Sequence, residues 1–277
     1  MKGKTVIITG ATDGIGLESA AGLGALGARL VLVGRNRTKG EVVLEALRRR
    51  VPGIQAEMHY ADLTRRDEIK RLAPELLAAA PRIDVLLNNA GAFFAERVVV
   101  EDQLEQTFAL NHLGYFRLTA ALRERLVASA PSRIVNVASE AHRNASLDFD
   151  DLQTARGYNG WKAYQRSKLA NILFTRELAR RLAGTGVTAN CLHPGFVKTS
   201  FGDNNRGFWG LGIRLGKVFA AISVPRGAET PVYLASAPGI DGVTGKYFDK
   251  CREREPNAAA RNDADARRLW DVSEQLA

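Results

Sequence analysis

The stretch TGATDGIGLESA, from Thr9 to Ala20, directly follows the apolar residues 6–8 and contains glycines at Gly10, Gly14 and Gly16. Glycine accepts backbone angles that other residues avoid and lets another group approach closely. At the N-terminus of a helix, free N–H groups and the helix dipole attract an anion. The pattern therefore predicts either a turn that binds the pyrophosphate of a dinucleotide or an ordinary strand-to-helix turn.

Short apolar runs alternate with helical patterns along the rest of the chain. We predict strands at Thr5–Thr9, Arg29–Val33, Ile54–His59, Ile83–Asn88, Arg133–Ala138, Val187–Leu192 and Lys246–Phe248. We predict helices at Gly14–Leu26, Lys39–Arg50, Arg65–Ala79, Glu101–Ala128, Trp161–Ala183 and Gly227–Ala235. Strict alternation of this kind predicts an α/β fold, a doubly wound (Rossmann) parallel sheet of about seven strands with helices on both faces. Without a linker pattern, residues 1–277 are expected to form a single domain.

Composition excludes several classes of protein. The 277 residues carry a formal net charge of +9, but the arginines are scattered among acids, so nucleic-acid binding is not expected. Neither of the two cysteines, Cys191 and Cys251, has a CxxC partner, so neither a disulfide framework nor a metal site is expected. No apolar run approaches the roughly 18–20 residues that span a bilayer. We therefore expect a cytoplasmic protein without a membrane span.

The end of the second predicted strand indicates the type of dinucleotide. An NAD-binding fold usually places an acid there, against the adenosine ribose. Residues 19–40 contain no Asp or Glu, and Arg35 stands near the position of that acid, followed by Asn36, Arg37 and Lys39. A guanidinium can pair with a phosphate through two hydrogen bonds, which favours the 2′-phosphate of NADP over NAD. The alternative is a solvated helix start.

Polar residues also follow the third and fourth predicted strands. Asp62 and Leu63 follow the third strand, and the sequence NNAG at residues 88–91 follows the fourth. Ligands bind at the carboxyl ends of strands in open α/β sheets, so these residues are candidate cofactor contacts. Taken singly, Asp62 could instead be a helix cap and the asparagines a turn.

A second group of residues suggests acid–base chemistry. Ser139 ends the fifth predicted strand, and Tyr164 and Lys168 lie one turn apart on one face of a helix. A lysine ammonium near a phenol favours the phenolate, so we expect Lys168 to lower the pKa of Tyr164 toward neutrality. A tyrosine tuned in this way can give or take a proton. The alternative is a surface contact on an amphipathic helix.

The order of these motifs resembles the short-chain dehydrogenase/reductase family over nearly the whole chain. The motifs are TGATDGIG, NNAG, Asn111 in NHLG, Ser139, the Tyr164–Lys168 pair and the sequence HPG at residues 193–195. The segments YNGWKAYQRSKLANILFTRELARRL, TGVTANCLHPGFVKT and VTGKYFDK resemble its retinol dehydrogenase-like subgroup more closely. The N-terminal hydrophobic anchor of the membrane-bound members is not evident in this sequence.

The resemblance implies an enzyme, an NADP-dependent oxidoreductase that interconverts a carbonyl and an alcohol. It implies that Tyr164 transfers the proton, Lys168 tunes it and binds the nicotinamide ribose, and Ser139 orients the substrate carbonyl. It also implies that Asn111 holds a water that links Lys168 to solvent. The expected cofactor contacts are Gly10, Thr12, Asp13, Gly14, Ile15, Gly16, Arg35, Asn36, Asp62, Leu63, Asn89, Ala90, Gly91, Tyr164, Lys168, Pro194, Gly195, Val197 and Thr199.

Residues 198–225 follow the last of these contacts and are rich in aromatic residues, interrupted by several glycines. We expect this segment to be a lid over a bulky apolar substrate, because such lids close over substrates and exclude water. A helical pair that packs on the domain, or a contact in a homo-oligomer, is the alternative. A dinucleotide-binding sensor or scaffold on the same fold is the alternative to an enzyme.

Overall fold

This computed structural model describes residues 1–196 and 223–277, and these residues form one eight-stranded sheet. The strands are β1 (Thr5–Thr9), β2 (Arg29–Gly34), β3 (Gln55–Tyr60), β4 (Val85–Asn88), β5 (Ser132–Val137), β6 (Val187–His193), β7 (Tyr247–Asp249) and β8 (Arg252–Arg254). Their order across the sheet is β3-β2-β1-β4-β5-β6-β7-β8. Every pairing is parallel except that of β7 with β8. The doubly wound α/β prediction is therefore confirmed.

The helices cover both faces of the sheet. They are α1 (Gly14–Ala25), α2 (Arg37–Arg50), α3 (Arg66–Ala79), α4 (Gln106–Phe108), α5 (Gly114–Ala128), α6 (Gly160–Arg181), α7 (Val224–Ser236) and α8 (Asp263–Leu276). A π-helical turn at Ala109–Leu113 joins α4 to α5, and a 3₁₀ turn at Glu140–Asn144 follows β5. Helices α1, α2 and α7 contribute to the core on one face, and α3, α5 and α6 to the core on the other.

Alternation along the strands explains why the strand sequences are apolar throughout. Successive side chains of a strand point to opposite faces. In β1, Ile7 belongs to the core under α3 and α5, whereas Val6 and Ile8 belong to the core under α1 and α7. All five residues of β1 are buried, as expected for a central parallel strand with helices on both sides.

The eighth strand and the C-terminal helix were not predicted. Strand β8 consists of the exposed residues Arg252–Arg254, which have no apolar pattern. It forms because Lys250 and Cys251, with φ angles of 50° and 59°, turn the chain back against β7. Helix α8 carries few apolar residues among many charged ones, yet Asn262 caps it by accepting hydrogen bonds from Ala264 N and Asp265 N.

The predicted helix at Glu101–Ala128 is interrupted at its start. Asp102 and Gln103 have positive φ angles, and regular helix begins only at Gln106. The Glu105 carboxylate accepts hydrogen bonds from Thr107 N (2.7 Å) and Phe108 N (2.8 Å), which caps the helix there. The prediction placed the start too early because the pattern of apolar residues does not reveal a cap.

Among residues 1–196 and 223–277, no helix combines the length and the apolar character that crossing a membrane requires. The segment predicted to be a lid lies outside the described residues, apart from its last three positions, 223–225.

Candidate active site

The glycine turn between β1 and α1 lies at the carboxyl edge of the sheet. Gly10 and Gly14 have φ angles of +66° and +51°, which L side chains rarely adopt. The Asp13 side chain accepts a hydrogen bond from Gly14 N at 2.7 Å and so caps α1. Thr12 and Ile15, the other predicted contacts here, are half-buried. The turn and the first turn of α1 thus present backbone N–H groups at the edge where ligands bind in such sheets.

Asn89, which follows β4, holds this turn in place. Its Nδ2 donates to Thr9 O (2.9 Å) and Gly10 O (3.2 Å), and the Thr9 hydroxyl accepts from Asn89 N (2.9 Å) and Ala90 N (3.0 Å). A Cβ on Gly16 would lie 2.3 Å from Gly10 O and 2.5 Å from Asn89 Nδ2. The third glycine is therefore required by the packing of the turn itself, before any ligand is considered.

Three basic residues, Arg35, Arg37 and Lys39, follow β2. They differ in the contacts that their side chains make with the rest of the protein. Lys39 pairs with Asp13 at 2.7 Å, and the Arg37 guanidinium lies 4.5 Å from the centre of the Tyr60 ring. The Arg35 side chain is 66% exposed, and its one ion pair with residues 1–196 and 223–277 is a long contact of 3.9 Å with Asp62 Oδ2. Of the three, Arg35 is the one with the weakest attachment to the protein.

Two of the predicted cofactor contacts have structural roles in this region. Asn36 caps α2, since its Oδ1 accepts from Lys39 N at 2.8 Å. Asp62 Oδ1 accepts from Thr64 N (2.9 Å) and Thr64 Oγ1 (2.7 Å), while Oδ2 faces Arg35. The side chain of Leu63 is buried in the core, so only its backbone is available to a ligand. Asp62 is not a helix cap, because the N-cap residue of α3 is Arg65 and no side chain caps that helix. The contact of Oδ1 with Thr64 would leave Oδ2 available to a ligand.

The predicted catalytic residues meet at the ends of β4 and β5. The Ser139 and Tyr164 side chains form a hydrogen bond. Lys168 Nζ lies 5.6 Å from the centre of the Tyr164 ring and donates to Val137 O at 3.1 Å. A Cβ on Gly91 would lie 3.3 Å from Lys168 Nζ and 3.1 Å from Asn111 Oδ1, so that glycine allows the groups to approach. Tyr164 and Lys168 are both more than nine-tenths buried, which is inconsistent with a surface contact.

Burial is the main cause of the pKa shifts of Tyr164 and Lys168. It raises the pKa of Tyr164 to about 12, against a smaller lowering by the hydrogen bond with Ser139. It also lowers the pKa of Lys168 to about 7. The expected lowering of the Tyr164 pKa was wrong for this structure, because the sequence argument considered the charge of Lys168 and omitted the desolvation of both groups.

Asn111 lies in the π-helical turn and is fully buried. Its Oδ1 accepts from Ala92 N (2.9 Å), and its Nδ2 donates to Ala92 O (2.9 Å) and Ser167 Oγ (3.0 Å). The amide therefore ties α6 to the chain that follows β4. Its role toward a water stays a prediction.

The remaining predictions divide into three groups. Asn88 faces the interior, where its Nδ2 donates to Asn136 Oδ1 and Thr119 Oγ1, so it is structural. Pro194 and Gly195 lie at the end of β6, with a φ of 91° at Gly195. Val197 and Thr199 lie outside the described residues.

The sequence argument missed two aromatic neighbours of Tyr164. The Trp161 ring stacks on Tyr164 with centroids 5.6 Å apart, and Phe93 meets the Tyr164 ring edge-on at 6.3 Å. Trp161 precedes Tyr164 by three residues, which places both on one helix face, and that spacing was the available signal. Phe93 carried no signal, because it lies in an irregular segment.

A comparison with known proteins matches this arrangement to one family. The family model described as short chain dehydrogenase matches residues 4–207. The chain belongs to the short-chain dehydrogenase family. It is 43% identical to retinol dehydrogenase 14 of Homo sapiens over 295 residues, which cover 100% of this chain and 87% of that protein. These matches confirm the resemblance to the retinol dehydrogenase-like subgroup of oxidoreductases.

Solved structures of similar fold agree with this assignment. A crystal structure of an uncharacterised protein from Mycobacterium paratuberculosis is 30% identical, with 99% of this chain and 93% of that chain covered and a TM-score of 0.80. The RhlG/NADP active-site complex of Pseudomonas aeruginosa is 25% identical, with 90% and 94% covered and a TM-score of 0.72.

The packing of the turn in this short-chain dehydrogenase leads to a prediction about Gly16. The variant Gly16→Ala should lose about 1–3 kcal/mol of the free energy of unfolding, the usual cost of forcing an extra methyl group into a packed site. Denaturant unfolding measures this loss. Gly239→Ala is the matched control, because apart from its chain neighbours no atom of the described residues lies within 4 Å of the Cβ position there. Equal stability of the two variants would contradict the packing role of Gly16.

Proposed function

We propose that this protein is an NADP-dependent oxidoreductase that interconverts a carbonyl and an alcohol on a bulky apolar substrate. The observation that carries the proposal is the pair of buried residues Tyr164 and Lys168, with the half-buried Ser139 beside Tyr164. A sensor or scaffold that only bound a dinucleotide would gain nothing from a buried lysine next to a buried phenol, since burying either group has a free-energy cost.

The residues of the carboxyl edge fit a dinucleotide. The glycine turn and the N-terminus of α1 would hold the pyrophosphate, and the backbone at Asn89–Gly91 would line the space between the turn and Lys168. Arg35 would meet a 2′-phosphate, and Asp62 Oδ2 would lie beside it. When bound, the nicotinamide supplies the hydride. The RhlG/NADP complex supports NADP as the cofactor.

Tyr164 and Ser139 would act together on the substrate oxygen. Their hydroxyl groups are hydrogen-bonded to each other, so a carbonyl oxygen placed between them would accept a hydrogen bond from each. With its pKa near 12, Tyr164 is protonated at neutral pH and is ready to donate a proton as charge develops on that oxygen.

Lys168 would restore the proton to Tyr164. Its pKa near 7 means that the amine gains and loses a proton readily at neutral pH. As an ammonium, it would also stabilise the phenolate that forms when Tyr164 donates. The two residues would therefore have different roles. Tyr164 would donate the proton to the substrate, and Lys168 would then supply the proton that restores Tyr164.

Removal of the phenolic hydroxyl tests this chemistry. Tyr164→Phe keeps the ring and its stacking on Trp161 but cannot transfer a proton, so kcat with a panel of aldehydes should fall by at least about 10²-fold. The NADPH dissociation constant, followed by the fluorescence of the cofactor, should change little. The mechanism is wrong if Tyr164→Phe keeps more than about half of the activity.

Arg35 tests the choice of cofactor. Arg35→Asp removes a charge-assisted contact and adds repulsion, so NADPH binding should weaken by about 2–4 kcal/mol while NADH binding should not weaken. Arg49→Asp makes the same change of charge on an exposed side chain in the last turn of α2 and should affect neither cofactor. Unchanged NADPH affinity in Arg35→Asp would exclude selection of NADP by this residue.

An exposed aromatic ring beside Tyr164 and a second one in the segment after β6 support an apolar substrate. Trp161 is 43% exposed although it stacks on Tyr164, and Phe196, just after Gly195, is 50% exposed. Large exposed aromatic residues next to buried reactive groups favour a ligand with apolar surface. The aromatic residues in the sequence of segment 198–225 favour the same substrate class, which stays a proposal.

A series of straight-chain aldehydes tests the substrate class. Each buried CH₂ group contributes about 0.8 kcal/mol, so kcat/KM should rise roughly fourfold per carbon until the pocket is full. Trp161→Ala should flatten the rise, whereas Val42→Ala, an exposed apolar residue on α2, should leave it unchanged. A flat or falling series with the unmodified enzyme would remove the apolar-substrate proposal and leave the oxidoreductase proposal standing.

A further inference from the structure

The peptide unit between Ser139 and Glu140 is held at both of its polar ends by imidazole rings. The carbonyl oxygen of Ser139 lies 2.7 Å from His142 Nδ1. The N–H of Glu140 points to His193 Nδ1 at 3.1 Å. Two of the four histidines of the chain therefore hold one peptide unit, the one next to the hydroxyl of Ser139.

The two imidazoles must be in opposite tautomers. A carbonyl oxygen only accepts, so His142 carries its hydrogen on Nδ1, and its Nε2 faces Asn257 N at 3.4 Å. A backbone N–H only donates, so His193 has no hydrogen on Nδ1. The arrangement thus requires that His193 be neutral and protonated only on Nε2.

We propose that His193 is a positioning residue that fixes the Ser139–Glu140 peptide and links it to the segment Pro194–Gly195. The proposal rests on the proposed function, in which Ser139 orients the substrate carbonyl. His193 ends β6 and directly precedes Pro194, so one side chain joins the loop after β5 to the loop after β6. Without this side chain, the loop after β5, which would contact the substrate, and the loop after β6, which would contact the cofactor, would be positioned independently of each other.

Strand β7 secures the same loop from its other side. The Tyr247 hydroxyl donates to Glu140 Oε2 at 3.0 Å, and the Tyr247 ring meets the His142 ring edge-on at 5.1 Å. His142 is fully buried and Tyr247 is nearly so. With its carbonyl, its N–H and the Glu140 side chain all engaged, the peptide has little freedom to rotate, and Ser139 Oγ is fixed with it.

This arrangement should open in acid. The titratable groups that face His193 are Asp249 and Lys250 from β7 and its turn, and Glu140 and His142 from the loop after β5. Burial lowers the pKa of His193 from its ordinary value of 6.5, the two carboxylates oppose this, and His142 and Lys250 add to it. His193 is thus neutral at pH 7. Below its pKa, a hydrogen on Nδ1 would face the N–H of Glu140 and break the contact.

Two substitutions at His193 separate positioning from simple packing. In His193→Asn the side-chain oxygen can take the place of Nδ1 as an acceptor, whereas His193→Leu has no acceptor. We expect kcat for carbonyl reduction to fall about tenfold in His193→Leu with KM for NADPH within about twofold, and to recover to within about threefold of the unmodified enzyme in His193→Asn. Because an amide does not titrate, the fall of kcat below pH 6.5 should be reduced in His193→Asn.

His59→Asn is the matched control, because this histidine lies on β3 and pairs with Glu75, far from Ser139 in the order of strands. His59→Asn should leave both kcat and the fall of kcat below pH 6.5 unchanged. Equal losses in His193→Leu and His193→Asn, or an acid limb identical in His193→Asn and the unmodified enzyme, would overturn the proposal.

A measurement without turnover distinguishes this proposal from the proposed function. The ¹⁵N spectrum of the imidazoles should show His193 protonated on Nε2 alone and His142 protonated on Nδ1 at pH 7. A hydrogen on His193 Nδ1 would overturn the proposal whatever the activity, and this holds even if His193→Leu does not fold. Absence of turnover in the unmodified enzyme, with the expected tautomers present, would instead count against the proposed function.

Discussion

The parallel register of β1, β4, β5 and β6 is the constraint on which the rest of the site depends. These four neighbouring strands end at one edge of the sheet, and the segments that leave them carry the glycine turn, Asn89, Ser139 and the Pro194–Gly195 pair. Parallel strands alone would bring these segments only into the same region. Hydrogen bonds between neighbouring segments, from Asn89 to Gly10 and from Glu140 to His193, then fix their relative positions. Fold and site are therefore joined by contacts that lie at strand ends rather than in the hydrophobic core.

Desolvation controls the reacting end of the site. Burial disfavours the charged forms of both the phenol and the amine: it raises the pKa of Tyr164 to about 12 and lowers the pKa of Lys168 to about 7. The protein gives up part of the attraction between the two groups and retains a proton on Tyr164. A site of this kind responds strongly to any charge that enters it, because the surrounding medium screens charge poorly. A charged group on a bound molecule would therefore shift both protonation equilibria.

The sequence was sufficient for the features that depend on periodicity and motif. Seven strands and the covering of both faces of the sheet follow from apolar runs, and the Tyr164–Lys168 pair follows from spacing on a helix. The place of Ser139 beside this pair was implied by the resemblance to the family. It was insufficient where a tertiary contact decides the outcome. Glu105 caps the start of the regular helix at Gln106, and nothing in its neighbours marks it as a cap. The pKa of Tyr164 depends on burial, which a sequence indicates only indirectly. The cofactor contacts by residue stay predictions.

The exposed end of the site at Arg35 and the buried end at Tyr164 and Lys168 rely on different physical effects. Cofactor affinity and catalysis could therefore change independently of each other. The Arg35 side chain is exposed, so its proposed contribution to NADP binding would be electrostatic and would be reduced by salt. Tyr164 and Lys168 are buried, where salt screening is weak. Between them stands the turn braced by Asn89, which is packed too tightly to tolerate a methyl group at Gly16. Under the proposed function, changes at Arg35 would therefore alter the choice of dinucleotide without moving Tyr164 and Lys168, whereas a change at Gly16 would disturb the turn that is proposed to hold the pyrophosphate.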